Sequence, residues 1–284
     1  MSHWIARITT FTAAVWVAAI SFNGDAVAQS VLQKAKDAQY IRVGFPNQVP
    51  YAYATPDGKL TGADAEVARK VIQRMGIKEM DPTLTEFASL IPGLKSSRFD
   101  IILAMFVNPQ RCAQVTFSEP IYGIGQGLIV KAGNPLGIKD YDDIVKRDVK
   151  FAIMSGAIQG IYSKKLGILE SRVLSFPDGP SAINAVTAGR ADVFGISSLS
   201  GRKMVEAAGP SVELISNFKD PVIDGKPARG YGAFAFRQED TDLIAAFNAA
   251  LKSFLGTPEH LETIKPFGFT AENLPDRTTA ELCK

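Results

Sequence analysis

Arg111 is the residue best placed to do chemistry in this chain. It lies in MFVNPQRCAQVTFSEPIY, residues 105–122, just past the apolar run DIILAMF (residues 100–106) and inside a polar turn that contains proline. A guanidinium presents a planar fork of N–H donors that matches a carboxylate, and open α/β sheets bind ligands in the crevice beyond the carboxyl ends of their strands. The chemistry expected of Arg111 is therefore capture of a carboxylate. The same position also suits a helix cap or a surface ion pair, and spacing alone leaves both open. Three aromatic residues stand at the ends of strand-like or loop-like segments: Tyr51 in NQVPYAY, Phe87 in LTEFASL and Phe106 closing DIILAMF. Singly, each reads as core. Together they could offer π faces to a cation.

Positioning these residues requires a frame, and the periodicity supplies one. Strand-like YIRVGF is followed by a helix over residues 63–75, a short strand near 81–85, a helix over 88–96, and DIILAMF; QVTFSEPI reads as a further extended run. A second series follows Gly133, with KFAIMS, a helix over 159–166, RVLSF, a helix over 180–188, and ADVFGI. Alternation of this kind predicts an α/β fold with two mostly parallel sheets covered by helices. A helix over 241–255 has apolar residues at helical spacing and should pack on the first sheet. Gly123, Gly125 and Gly127 superficially suggest a phosphate loop. No strand precedes them and no helix opens after them, so hinge flexibility explains them better.

Residues 1–28 read as an export signal, with Arg7 ahead of an apolar run and AVA (residues 26–28) as a small-residue cleavage site after Ala28. The run falls short of the ~18–20 apolar residues a membrane-spanning helix needs. Removing 28 of 284 residues leaves 256, enough for two lobes, and the formal net charge stays at +2 because Arg7 and Asp25 leave together. A periplasmic, monomeric protein is expected. No basic stripe is present, so nucleic acid is not an expected partner. Only His260 of the two histidines would remain, which nearly excludes a histidine-based triad or multi-histidine metal site. No cofactor or metal is expected. Cys112 and Cys283 are the two cysteines, and in an oxidising compartment they read either as one disulfide or as two buried thiols.

The NPQR turn and its following V-T-F-S-E-P-I run resemble the family 3 extracellular solute-binding proteins, which deliver polar amino acids and similar zwitterions to ABC importers. The resemblance extends through GADAEVARKVIQRMG (62–76), FASLIPGLKSSRFD (87–100), GRADVF (189–194) and PFGFTAENL (266–274). The family's G-[FY]-[DE]-x-[DE] signature reads here as Gly62, Ala63, Asp64, Ala65, Glu66. NPQRCAQVTFSEPI, GNPLGIKDYDDI (133–144) and TTAELCK (278–284) look like the ectoine and hydroxyectoine branch. The resemblance implies a type II two-lobed periplasmic binding protein whose chain crosses between lobes twice, along hinge strands at 125–133 and 229–240. Lobe one is then 29–128 plus 232–284, and lobe two is 129–231.

The resemblance also implies a site. Arg111 would take the solute's carboxylate, while Tyr51, Phe87 and Phe106 would wall its cationic end. Gln48 stands where an acidic residue is expected, Ile158 where a threonine is expected, and Ser197 where amino-acid-binding relatives carry a counter-charge for a primary ammonium. The implied ligand is a small zwitterionic compatible solute with a delocalised or alkylated cation, such as ectoine or hydroxyectoine; a polar amino acid or a betaine is the alternative. The implied partner is the membrane permease of an ABC importer. Dehydratases share this architecture, but catalysis would need a positioned general acid, for which Glu119, Glu86 and Asp178 are the candidates. Glu119 reads as a turn residue and Asp178 as a helix cap, so no enzyme is expected.

Overall fold

The computed structural model describes residue 1 and residues 29–284. The export signal read over residues 1–28 lies outside the described residues, Met1 excepted. Strand β1 (Tyr40–Phe45) is flanked by β2 (Glu79–Leu84) and β3 (Ile101–Phe106), all parallel. Pro82 is accommodated in β2 because that strand is the sheet edge. Of the extended run at 114–121, Thr116–Phe117 form strand β4. Next come β5 (Tyr122–Ile124) and β6 (Gln126–Lys131), separated by Gly125 alone. β5 belongs to the first sheet and β6 to the second.

The second sheet adds β7 (Phe151–Met154), β8 (Val173–Phe176), β9 (Val193–Ser197) and β10 (Val212–Leu214), in the order β8-β7-β9-β6-β10. The chain then returns to the first sheet as β11 (Gly230–Phe236), between β3 and β4. The sheets are mixed rather than uniformly parallel. β6 runs antiparallel to both its neighbours, and β11 runs antiparallel to β3, β4 and β5. These are the two strands that follow a crossover, and each enters its sheet from the side facing the other lobe.

The helices fall close to their predicted places. The one expected over 88–96 becomes a 3₁₀ turn, Phe87–Ser89, followed by α-helix Leu90–Lys95. Pro92 explains the shift, since proline is tolerated in the first turn of an α-helix but not deeper. Gly125 corrects the flexibility reading: a Cβ there would meet the Asp220 carboxylate at 2.9 Å. That carboxylate accepts the Gln126 N–H at 2.6 Å, so close approach, and not freedom, requires the glycine.

Cys112 and Cys283 are joined, with an S–S distance of 2.02 Å and a Cα–Cα distance of 5.7 Å. His260 is fully buried beside Phe254 and accepts the Gly256 N–H at Nδ1. Burial holds its imidazole down to about 4, below its ordinary 6.5. A lowered folded pKa means stability present in full above pH 6.5 and lost as pH falls toward 4. Between pH 7 and 5 the wild type should therefore lose about 2 kcal/mol more than a His260→Gln variant. Urea titrations of both proteins at the two pH values measure this, and parallel losses would remove His260 as the cause.

Candidate functional site

The crevice between the sheets is built from segments that leave the carboxyl ends of strands. Arg111 sits on a four-residue helix, Pro109–Cys112, that Asn108 caps by accepting the Arg111 N–H at 2.9 Å. Asparagine followed by proline at the first helical position is a strong helix start, so local sequence sets the turn that carries the arginine. The side chain is buried. Its Nη1 donates to the Phe106 carbonyl at 2.6 Å, and its Nη2 donates across the crevice to the Gly156 carbonyl at 2.9 Å. Among the described residues no carboxylate pairs with it. The helix-cap and surface-pair readings both fail. Burial pulls the guanidinium down to about 10, the direction expected of a cation removed from water with no counter-ion.

The seven residues singled out from sequence, Gln48, Tyr51, Phe87, Phe106, Arg111, Ile158 and Ser197, surround one cavity of about 20 Å³. Ala104, Met154, Ala157, Gln159 and Ile196 complete its wall. One cation and no carboxylate lie among these lining groups. Phe87 does not stand opposite Arg111 as expected, because the guanidinium carbon lies over its ring, 5.2 Å from the centroid. Tyr51 and Phe106 meet edge to face at 6.0 Å, and Tyr51 stacks on Tyr122 at 5.4 Å. Ile158 packs in an apolar cluster that reaches Phe106.

The site joins the lobes. The Tyr51 hydroxyl donates to Ser197 Oγ at 2.7 Å, and Ser200 Oγ donates to the Val49 carbonyl at 2.6 Å. Gln48 Nε2 reaches Ser200 Oγ at 3.4 Å. A volume of about 20 Å³ holds about one water, so an organic solute enters only when these contacts part. Phe87, Arg111 and Ala157 also line a wider neighbouring cleft of about 640 Å³.

Sequence reasoning missed Ser200, Gln159 and Ala104. Ser200 lies in the first turn of the helix Ser198–Ala208, which opens directly behind Ser197 and was not anticipated. Gln159, in the first turn of the helix Ile158–Leu166, donates from Nε2 to Gln126 Oε1 at 2.8 Å, linking the cavity wall to the first residue past the Gly125 crossover. Its polar type beside Ile158 was the available signal. The leading N–H groups of that helix have no partners within it and add positive potential beside Arg111.

The general-acid candidates are elsewhere. Asp178 caps the helix Gly179–Thr187 by accepting the Ser181 N–H, Glu119 accepts the Thr279 N–H, and Glu86 is exposed. None of the three lines the cavity. Among the described residues no cluster of three or more histidine, cysteine or acidic side chains could hold a metal, and no helix is long and apolar enough to cross a membrane.

Comparison with known proteins agrees with this architecture. A "probable amino-acid ABC transporter periplasmic-binding protein" of Sinorhizobium fredii is 38% identical over 258 residues, covering 89% of this chain and 85% of that one. The crystal structure of EhuB in complex with hydroxyectoine superimposes with a TM-score of 0.81 at 32% identity, covering 89% of this chain and 97% of that one. An ancestral amino-acid-binding protein described as a precursor of cyclohexadienyl dehydratase superimposes at 0.71 with 25% identity, covering 84% and 99%. With a match to the family model over residues 41–267, and two lobes meeting at a buried guanidinium, the chain belongs to the bacterial extracellular solute-binding proteins, family 3.

Proposed function

We propose that this solute-binding protein captures a small zwitterion of the ectoine type by lobe closure and presents the closed form to the membrane permease of an ABC importer. The observation that carries the reading is the charge inventory of the cavity: one buried guanidinium, three aromatic rings, two amides, and no carboxylate among the lining residues. Arg111 would fork onto the solute carboxylate. A primary ammonium would then be buried without a counter-charge, which is costly, whereas a delocalised or alkylated cation is satisfied by π faces. Tyr51 and Phe106 supply those faces, with Phe87 serving mainly to hold Arg111. Gln48, Gln159 and Ser197 give neutral hydrogen bonds, and Ile158 closes the apolar side. EhuB, in its complex with hydroxyectoine, supports this choice of solute class.

A second reading has its own support, since the Sinorhizobium relative is described as a probable amino-acid carrier. A melting-shift panel of hydroxyectoine, ectoine, glycine betaine, proline, arginine and glutamine decides between them. Hydroxyectoine or ectoine should give the largest shift. A larger shift with any α-amino acid bearing a primary ammonium would transfer the protein to the amino-acid carriers.

Gln48→Glu provides an internal check. A carboxylate at that position offers a charged acceptor to ring N–H groups, and charge-assisted hydrogen bonds are about twice as strong as neutral ones. Ectoine should bind more tightly to the variant, by about 1 kcal/mol, while glycine betaine, which has no N–H, should change little. Calorimetry showing equal gains for both solutes would move Gln48 away from the cationic end.

A further inference from the structure

We propose that Asp64 is a positioning residue for the solute cavity: it holds an irregular turn within strand β3 and anchors the Tyr51–Tyr122 stack, without itself touching solute. The motivating irregularity is Ala104. It has a φ of 60°, in the left-handed region, although it is not glycine and lies inside a strand. Pairing between β3 and β11 slips there, with Ala233 opposite Met105 but Ala235 opposite Ile102. Such a bulge turns one N–H out of the ladder, and a non-glycine residue persists in this conformation only where its surroundings over-determine it. Here the Ala104 N–H donates to Asp64 Oδ2 at 3.0 Å.

The other carboxylate oxygen accepts the Tyr122 hydroxyl at 2.9 Å. Asp64 is completely buried, and its oxygens go to a backbone amide and a phenol rather than to a cation. Burial pushes its carboxyl up to about 7, so the fold carries it at a cost. The backbone makes a third connection: Asp64 N–H donates to the Tyr51 carbonyl at 2.9 Å, and Ala63 N–H donates to the Pro50 carbonyl at 2.9 Å. Gly62 permits this approach, because a Cβ there would fall 2.2 Å from the Tyr51 carbonyl oxygen. One residue thus joins three parts: its backbone holds the Tyr51 loop, and its side chain holds the ring that stacks on Tyr51 and the strand that ends in Phe106.

The consequence reaches Arg111. Phe106 is two residues beyond Ala104, and its carbonyl accepts Arg111 Nη1. In a strand, a slip of one residue exchanges the two faces. If the bulge were ironed out, Phe106 and its carbonyl would no longer be presented to the cavity as they are. Ala104 itself lines the cavity, so the turn is part of its floor.

The test needs a readout independent of solute identity. Backbone chemical shifts and amide exchange at residue 104 should be recorded in the full-length exported protein and in Asp64→Ala, Asp64→Asn and the double variant Asp64→Ala/Ala104→Gly. Affinity is measured on the same samples with hydroxyectoine, or with whichever panel solute gives the largest shift in the wild type. Asp64→Ala should move residue 104 out of the left-handed region, speed its amide exchange, and weaken binding by about tenfold or more. Asp64→Asn can still accept from Ala104 and donate to Tyr122, so it should keep both the backbone conformation and the affinity. In the double variant, glycine adopts the left-handed conformation freely and should restore binding without restoring the melting temperature. The proposal is overturned if residue 104 stays left-handed in Asp64→Ala with affinity unchanged, or if the double variant binds no better than the single one. Should Asp64→Ala not fold, Asp64→Asn with wild-type conformation and affinity supports the proposal, and Asn with residue 104 displaced but affinity intact refutes it. Failure of hydroxyectoine to bind the wild type touches the functional reading alone.

Discussion

Arg111→Ala should reduce solute affinity by about 3–5 kcal/mol, a factor of hundreds or more, because the solute carboxylate would be buried without its partner. The same variant should melt at or above the wild-type temperature in the absence of solute. Burial already disfavours the charged guanidinium, as its depression to about 10 records, and among the described residues no carboxylate repays it. The combination of lost binding with retained stability distinguishes a recognition residue from a structural one. Arg111→Lys should recover part of the affinity, since an ammonium keeps the charge but cannot fork. Isothermal calorimetry and thermal melts on the three proteins measure both properties. An affinity loss of less than tenfold in the alanine variant would take Arg111 out of the solute contact.

Opening the Cys112–Cys283 link should have the largest effect on stability. The bridge spans 171 residues of sequence. In the chain-entropy description, a loop of that length stabilises the fold by up to about 5 kcal/mol, a ceiling that residual structure in the unfolded chain lowers. The Cys112→Ser/Cys283→Ser variant should therefore melt several degrees lower and unfold at lower denaturant. Because Cys112 directly follows Arg111 on the same short helix, its effect on binding is also of interest. The Asn108 cap and the Phe106 carbonyl position the arginine independently of the bridge, so affinity below the melting transition should stay within about tenfold of wild type. Titration of thiols in denaturant without reductant provides the control: two free thiols would show that the bridge does not form in the protein as made.

Much of the frame was legible because its signals are local. The period of apolar residues marked the strands and helices, and N-P-Q-R announced a capped turn carrying an arginine. Where boundaries shifted, the cause was local too, as with Pro92 at the helix Leu90–Lys95. The gathering of Gln48, Tyr51, Phe87, Phe106, Arg111, Ile158 and Ser197 around one cavity was foreseen through resemblance to a family, not from spacing. Their separations in sequence contain no distance information until the fold is known.

By itself, then, the sequence determined the two α/β halves, the candidate anchor and the pair of cysteines, because periodicity, capping and composition act over a few residues. Tertiary structure alone decided what surrounds each group. It placed Phe87 under Arg111 instead of opposite it, set Ser200 against Val49 across the crevice, and made Gly125 a site of close approach to Asp220. It also turned Asp64, in sequence one acidic residue at a helix start, into a fully buried carboxylate bonded to Ala104 and Tyr122. The physical reason is common to all of these. Desolvation and contact across elements depend on which surfaces meet when the sheets and lobes pack, and residues tens to more than a hundred positions apart meet only there.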